Sequence, residues 1–194
     1  MLAMNATPSS RIAGFTLIEL MVTVAIAAVL LVVAVPSFVS FQRNSELTSA
    51  TNSFVAAVNA ARGEAMKRGM NAMVVPTTGT DWSTGWTVFV DQDRSGGLNT
   101  GDTTVLQQPA FPSYLSATGQ GTASETPAYI MFDASGYAKT KTAGFGALTM
   151  TIARSDVGDT AQTAQTRRIV IAKSGRARAC RPSTDTTCTV SAEE

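Results

Sequence analysis

A carboxylate at the start of an apolar segment is the feature of this sequence with the clearest chemical consequence. Glu19 precedes a run, residues 20–35, that contains no charged residue and a single hydroxyl, on Thr23. Such a run favours lipid or other apolar helices, and an unpaired carboxylate beside it is energetically costly. We therefore expect Glu19 to have a functional partner, and a positively charged group would neutralise its carboxylate.

The residue types needed for common enzymatic chemistry are missing. The chain contains no histidine, which excludes Ser-His-Asp and Cys-His catalysis and any imidazole metal site. The only cysteines, Cys180 and Cys188, offer too few ligands to hold a metal on their own. No nucleophile–base pair is found in the sequence, so we expect neither an enzymatic activity nor a cofactor.

An acidic loop fits the outline of a twelve-residue calcium site. Between positions 91 and 102, oxygen-bearing side chains fall at the spacing of calcium ligands, with Gly96 at the sixth position. These side chains are Asp91, Asp93, Ser95, Asn99 and Asp102. Against calcium, the last ligand is Asp rather than Glu, Arg94 brings a cation into the loop, and predicted strands flank it. A long hairpin turn uses the same residue types, so calcium is the weaker alternative to no metal.

The C-terminal part of the chain concentrates positive charge, although the whole sequence is nearly neutral with 15 basic and 14 acidic residues. Residues 167–181 include no acid and the cations Arg167, Arg168, Lys173, Arg176, Arg178 and Arg181. Ser174 and Gly175 predict a turn, and strand alternation then places Arg176 and Arg178 on one face. No aromatic residue is interleaved with these arginines, so base stacking on a single strand is not indicated.

The elements that position these residues follow from the hydrophobic pattern. One helix is predicted from about residue 16 to residue 68, amphipathic after Pro36 and ending at Gly69. Strands are predicted at 72–76, 86–90, 103–107, 128–132, 148–153, 167–172 and 177–180. Trp82 and Trp86 are expected to anchor the sheet on the helix. Residues 116–127 and 155–166 are expected to be polar connections. The fold class is α+β, with a long N-terminal helix packed on an antiparallel β-sheet head of one or two sheets.

Residues 14–20, Gly-Phe-Thr-Leu-Ile-Glu-Leu, resemble the class III signal of type IV pilins and type II secretion pseudopilins. The resemblance implies that a prepilin peptidase cuts between Gly14 and Phe15 and methylates the new Phe15 amine. It implies that Glu19 pairs with the N-terminal amine of a neighbouring subunit, and that Pro36 is a helix-kinking proline. A secretory signal is disfavoured because the apolar run exceeds the usual length and no convincing small-x-small site follows. A plain membrane anchor leaves Glu19 unexplained.

A pilin-like organisation divides the chain into four segments. Residues 1–14 are the expected leader, 15–36 the transmembrane and filament-core helix, 37–69 an amphipathic helix, and 70–194 a β-rich globular head. The resemblance implies a single-pass inner-membrane protein with a periplasmic head that later joins a pilus at the cell surface. Its implied partners are other minor and major pilins, the prepilin peptidase and the inner-membrane assembly platform.

If the head is exported, its cysteines lie in an oxidising compartment where disulfides form. Cys180 and Cys188 lie close together near the C-terminus and, in a translocated head, are expected to form a disulfide that closes a small loop. Two free thiols are the alternative.

Three further stretches resemble one pilin subgroup, the minor pilins of the GspH/FimT/FimU type. They are residues 61–69 at the helix end, residues 82–91 with their two tryptophans, and Gly175-Arg176-Ala177-Arg178, which is similar to the GRxR motif of FimT-type minor pilins. That motif implies binding of double-stranded DNA during uptake, through phosphate contacts of Arg176, Arg178, Lys173 and Arg181. The alternative is that Arg176 and Arg178 pair with carboxylates of the head or of adjoining minor pilins.

The sequence therefore leaves three functions open. The first is a minor pilin that supports the assembly and priming of a type IV pilus. The second, compatible with the first, is a DNA-binding subunit for natural transformation. The third is a pseudopilin of a type II secretion system, which shares the leader and helix but serves protein export.

Overall fold

The computed structural model describes residues 14–190, apart from the side chains of 159 and 160, so the expected leader lies outside the described residues except for Gly14. The first element is α1 (Leu17–Arg68), which contains Pro36 within its length. Gly69 follows with a φ of 65°, the left-handed conformation that commonly terminates a helix. The stop predicted at Gly69 is confirmed. The kink expected at Pro36 stays a prediction.

The chain forms two compact units, residues 1–42 and residues 43–194. Within the first unit, α1 is long and apolar enough to cross a membrane, and the described side chains from Phe15 to Phe41 are exposed. The second unit holds the rest of α1 and all of the strands. Among the described residues, the buried apolar core therefore lies in the second unit.

A five-stranded antiparallel sheet forms one layer of the second unit. Its strands are β1 (Asn71–Thr78), β2 (Asp81–Asp91), β3 (Thr103–Gln108), β5 (Ile130–Phe132) and β6 (Ala138–Lys139). They lie in the order β3-β2-β1-β5-β6, so that β6 is an edge strand. The β6 edge contacts residues 173–175, since the Ala138 backbone N donates to the Lys173 carbonyl.

A four-stranded antiparallel sheet contains the C-terminal residues singled out by the sequence. Its strands are β4 (Leu115–Gly119), β7 (Leu148–Arg154), β8 (Thr166–Ile171) and β9 (Ala177–Cys180), in the order β4-β7-β8-β9. Strand β9 is the edge and pairs with β8 through a hairpin, with Ile171 opposite Ala177. The predicted α+β fold, with a long helix and an antiparallel β-sheet head, is confirmed, and the strands of the head form two sheets.

The main core lies between α1 and the inner faces of both sheets. From the helix it takes residues at helical spacing, including Leu47, Phe54, Val58 and Ala65, all fully buried. Phe54 meets Trp82 and Trp86 edge to face, with ring centroids 5.7 and 5.0 Å apart. Edge-to-face pairs of this kind stabilise beyond the area they bury. Both tryptophans are structural, as expected.

The outer face of the five-stranded sheet has a smaller apolar cluster. It consists of Met73, Phe89, Tyr129 and Met131, with Val75 packed against it. Alternation explains the division, because Ala72 and Val74 on the same strand face the main core. The outer face is therefore only partly apolar.

Two expectations about connections were wrong. Residues 116–127 were expected to lack regular structure, but most of β4 and a 3₁₀ turn (Gly121–Ser124) lie there. The alternation of buried Leu115 and Ala117 with Ser116 and Thr118 forms a strand whose small side chains give a weak apolar signal. Residues 155–166 contain the short helix α2 (Asp159–Gln162), and β6 was not predicted at all.

An ion-pair network joins the start of the second unit to the loop after β7. Asp156 accepts hydrogen bonds from Arg154 Nε at 2.9 Å, from Arg154 Nη2 at 2.7 Å and from Arg43 Nη1 at 2.5 Å. The Arg43 guanidinium also stacks 4.7 Å from the ring centroid of Tyr114. Hydrogen bonds from Arg154, and then from Arg43, hold the pKa of Asp156 well below its usual range, although burial opposes the shift.

We expect the stability contributed by this network to depend on acid pH. Because the folded pKa of Asp156 is depressed, its contribution is complete above the unfolded value of about 4 and is lost as the pH falls through the folded pKa. Asp156→Asn should therefore lower the thermal unfolding midpoint at neutral pH, with a difference from wild type that narrows below about pH 4. Thermal unfolding of the full chain in non-ionic detergent, followed by circular dichroism across this range, measures it. A pH-independent difference would contradict the role of the carboxylate charge.

Candidate functional site

The carboxylate at the start of α1 is hydrogen-bonded within its own chain. Glu19 Oε2 accepts from the Thr16 backbone N at 2.9 Å and from Thr16 Oγ1 at 2.8 Å. The Glu19 backbone N donates to Thr16 Oγ1 at 3.3 Å. This reciprocal arrangement is a capping box, which the Thr-x-x-Glu spacing could have predicted. Thr16 is therefore a partner of Glu19 that the sequence analysis missed.

The basic hairpin, residues 172–176, connects β8 to β9 and exposes two cations. The Ala172 backbone N donates to the Arg176 carbonyl at 3.0 Å, and the Gly175 N donates to the Ala172 carbonyl at 2.8 Å. Gly175 has a φ of 78°, which a glycine adopts without strain. Lys173 and Arg176 are exposed on either side of the turn. The predicted turn is therefore present, and its closing residue is the glycine of the GRxR sequence.

A single arginine of α1 holds this hairpin in place. Arg62 Nε donates to the Gly136 carbonyl at 2.9 Å, and Arg62 Nη2 donates to the Ser174 carbonyl at 3.1 Å. Beside it, the Ala138 backbone N donates to the Lys173 carbonyl at 3.0 Å. The helix, the turn before β6 and the basic hairpin are thus joined at one point. The sequence analysis did not identify Arg62, because its partners are carbonyls of residues far along the chain.

Two glycines allow this close approach. A Cβ on Gly175 would lie 2.0 Å from the Gly136 carbonyl oxygen and 2.9 Å from Arg62 Nε. A Cβ on Gly136 would lie 2.7 Å from Met66 Sδ. A side chain at Gly175 would therefore require the hairpin to shift away from the Gly136 backbone, whereas a side chain at Gly136 would displace the side chains of Met66 and Arg62. The glycine of the GRxR sequence thus has a structural role, because it allows the hairpin to pack against the Gly136 carbonyl.

Arg178 is engaged with the C-terminal loop. Its Nη1 donates to Asp185 Oδ2 at 3.1 Å and to Thr187 Oγ1 at 3.2 Å, and its Nη2 donates to the Thr187 carbonyl at 3.2 Å. Hydrogen bonds from Thr187, more than the charge of Arg178, lower the pKa of Asp185. Arg176 and Arg178, expected to act as a pair on one face, are placed differently: Arg176 is exposed in the basic hairpin, and Arg178 is half-buried in β9 against the C-terminal loop.

The same loop carries the disulfide between Cys180 and Cys188. Arg168 Nη1 donates to the Cys188 carbonyl at 2.6 Å and secures the end of the loop. The structure thus joins the two cysteines expected to pair. The small loop stands over the outer face of β8 and β9, and Arg181 is exposed at its start.

Arg167 is not part of the exposed basic surface. It is buried, with 7% of its surface exposed. Its guanidinium donates to the carbonyls of Ala164 and Thr166 at 3.0 and 2.9 Å, and to Asn44 Oδ1 at 3.2 Å. Burial, with a smaller contribution from nearby Arg181, lowers the pKa of Arg167. This cation therefore joins the start of the second unit to β8.

The acidic loop between β2 and β3 brings three of the five weighed calcium ligands together. One carboxylate oxygen each of Asp91, Asp93 and Asp102 lies within 4.8 Å of the others. Asp91 accepts from the backbone N of Ser95 and of Gly96, each at 3.0 Å. Burial is the main cause that raises the pKa of Asp91.

The two remaining weighed ligands also have hydrogen-bond partners within the loop. Asn99 Nδ2 donates to Asp93 Oδ2 at 3.0 Å and to Ser95 Oγ at 2.9 Å, and Asp102 Oδ2 accepts from the Asn99 backbone N at 2.9 Å. Such bonds are what a long hairpin turn uses without a metal, and calcium stays the weaker alternative.

Two family models match this sequence. The prokaryotic N-terminal methylation motif matches residues 9–35, and the type II transport protein GspH matches residues 50–175. The chain belongs to the GspH family. Comparison with curated proteins gives no match. The resemblance to minor pilins and pseudopilins, stated from the sequence, is confirmed.

Solved structures share the fold of this GspH-family chain. The type IV minor pilin FimU of Pseudomonas aeruginosa aligns with 23% identity over 74% of this chain and 95% of its own, with a TM-score of 0.54. The minor pseudopilin EpsH from the type 2 secretion system of Vibrio cholerae aligns with 14% identity, over 71% and 98%, with a TM-score of 0.50. At such identities the likeness shows the fold alone.

We expect Gly175→Ala to destabilise the head by ~1–3 kcal/mol, because the positive φ and the Gly136 carbonyl both oppose a Cβ. Gly63→Ala is the matched control. Gly63 is exposed within α1 with no atom near its missing Cβ, so alanine there should stabilise by roughly 0.5–1 kcal/mol. Chemical unfolding of the full chain in detergent measures both. Equal effects of the two substitutions would contradict the close contact between Gly175 and Gly136.

Proposed function

We propose that this GspH-family chain is a minor subunit of a type IV pilus that supports filament assembly and priming. The observation that carries the proposal is the methylation motif over residues 9–35, which precedes and includes an exposed apolar helix with Glu19 at its start. A helix of this kind fits the inner membrane before assembly and an apolar filament core afterwards. The family is one of structural pilins and pseudopilins, which agrees with the absence of histidine chemistry and argues against an enzyme.

The proposed assembly chemistry begins with cleavage between Gly14 and Phe15. The new Phe15 amine, methylated but still cationic, becomes available to the Glu19 carboxylate of a neighbouring subunit. Thr16 occupies only Oε2 of Glu19 in the structure, so the capping box leaves the other oxygen to accept from an incoming ammonium. Thr16 thus orients the carboxylate, and the neighbour's amine neutralises it.

We expect Glu19→Ala to reduce incorporation into filaments strongly, because it removes the charge partner of the neighbouring amine. Thr16→Val should reduce incorporation less, since it removes only the hydroxyl that orients Glu19. Thr23→Val is the matched control, because the Thr23 hydroxyl bonds the Leu20 carbonyl of its own helix and is not near the cleavage site. The readout is the amount of the chain in sheared filaments relative to the membrane fraction. Normal incorporation of Glu19→Ala would contradict the proposal.

A pseudopilin of a type II secretion system is the second candidate, favoured by the description of the matched family and by the fold shared with EpsH. Deletion of the gene in the host bacterium separates the two. A pilus subunit predicts loss of surface filaments or of filament-dependent motility with normal protein secretion. Loss of secretion with normal filaments would support the pseudopilin function instead.

Binding of double-stranded DNA is a further function that we infer for the head. It is supported by the exposure of Lys173 and Arg176 on a hairpin anchored by Arg62. Lysine and arginine on a rigid turn suit phosphate oxygens, and such contacts are independent of base sequence. Arg178 is the weakest of the four expected contacts because it is half-buried, whereas Lys173, Arg176 and Arg181 are exposed.

We expect Lys173→Gln/Arg176→Gln to weaken binding of a DNA duplex. The slope of log binding constant against log salt concentration should become shallower by about two, since two phosphate contacts are lost. Arg94→Gln, which removes an exposed cation in the acidic loop, is the matched control and should bind as wild type. Fluorescence anisotropy with the full chain in non-ionic detergent over a range of salt measures both. If the wild type does not bind a duplex at low salt, the inferred DNA-binding function is wrong. If the double variant binds as tightly as wild type, Lys173 and Arg176 do not contribute to DNA binding.

A further inference from the structure

An exposed aromatic pair lies at the β6 edge of the five-stranded sheet. Tyr137 and Phe145 expose 44% and 56% of their surfaces. Their ring centroids are 5.7 Å apart with the planes at 71°. Two exposed rings in contact form a contiguous apolar patch, which is a feature of binding surfaces.

The strand geometry directs this pair to the outer face. Ala138 pairs with Phe132 and is buried in the main core, so its neighbours Tyr137 and Lys139 face outward. Phe145 forms a β-bridge with Lys139, and Lys139 Nζ lies 3.9 Å from the centroid of the Phe145 ring. We call Tyr137, Lys139 and Phe145 the aromatic platform.

The aromatic platform adjoins the basic hairpin. The Ala138 backbone N donates to the Lys173 carbonyl, and the Gly136 carbonyl lies against Gly175. Residues 136–138 therefore contact residues 173–175 directly. Lys173 and Arg176 therefore belong to a hairpin whose backbone contacts the residues on either side of Tyr137, although more than thirty positions separate Tyr137 from Lys173 along the chain.

Charge around the platform is mainly positive. Arg62 bonds two carbonyls, which leave its charge unneutralised, and it has no ion pair with any carboxylate within the described part of the chain. Lys139 has one acidic neighbour, Asp133, at 3.7 Å. Exposed rings rimmed by cations are complementary to a polyanion with flat, accessible faces, which describes a nucleic acid with unpaired bases. A purely apolar protein partner would not require the cations.

We propose that the aromatic platform and the basic hairpin together bind single-stranded DNA. Lys173 and Arg176 contact phosphates, bases stack on Tyr137 and Phe145, and the Lys139 ammonium moves from the Phe145 ring to a phosphate. Since bases in a duplex are stacked on one another, only a single strand can use both parts of this surface. The proposal rests on the DNA-binding function inferred above and replaces the expectation that no aromatic residue accompanies the arginines.

The test compares an oligothymidine of about 20 nucleotides with a duplex of equal length, both fluorescently labelled, on the full chain in non-ionic detergent. We expect the single strand to bind more tightly than the duplex. Tyr137→Ala/Phe145→Ala should weaken single-strand binding about tenfold and leave duplex binding within about twofold, because stacking contributes only to the single strand. Leu106→Ala removes an equally exposed apolar side chain on edge strand β3 and is the matched control.

Photo-crosslinking with 5-iodouracil in the oligonucleotide adds a readout that does not depend on folding of a variant. Crosslinks at Tyr137 or Phe145, mapped by mass spectrometry, support the proposal. If the double variant keeps its single-strand affinity, or loses affinity equally for both DNA forms, the proposal that bases stack on the aromatic platform is wrong. The inferred binding of duplex DNA is not contradicted by either result. Absence of binding to either DNA overturns DNA binding and this proposal together. Reduced filament incorporation of the double variant with unchanged DNA affinity assigns the rings to a neighbouring subunit and also overturns it.

Discussion

The guanidinium of Arg62 is the contact on which the arrangement of the head's exposed face depends. It reaches from α1 to carbonyls of two separate chain segments, at Gly136 before β6 and at Ser174 in the basic hairpin. An arginine suits this role because its planar fork donates in several directions at once. Carbonyl acceptors satisfy the donors without cancelling the charge. The contact therefore fixes the hairpin and at the same time adds to the positive potential around it.

The close packing at this point limits which residues can surround it. A Cβ on Gly175 would overlap the Gly136 carbonyl, so the hairpin position depends on this missing side chain as well as on Arg62. The disulfide loop adds a second restraint, because Arg178 and Arg168 bond its residues from the strand face. The cations of the basic C-terminal region therefore fall into two groups. Arg168 and Arg178 bond the disulfide loop, whereas Lys173 and Arg176 are exposed. Charge in the sequence alone does not reveal this division.

Local signals in the sequence predicted the elements well where they were strong. The helix, its end at Gly69 and most strands followed from periodicity and turn residues, and the Thr-x-x-Glu spacing contained the partner of Glu19. Strand β4 was missed because its side chains are small. The site itself was harder to predict, because Arg62 bonds residues 74 and 112 positions away and the backbone beside Tyr137 contacts a hairpin of the other sheet. Such contacts leave no periodic pattern.

The composition of the core separates the residues proposed to enter a membrane and a filament from those that stabilise the head. Every residue of the main core lies at or beyond Leu47, whereas the described apolar residues from Phe15 to Phe41 are exposed. The basic hairpin is held by Arg62, on the part of α1 after position 43, and so belongs to the same unit as that core. Under the proposed function, Glu19 and the basic hairpin lie in different units, so substitutions that test filament assembly and DNA binding can be made separately.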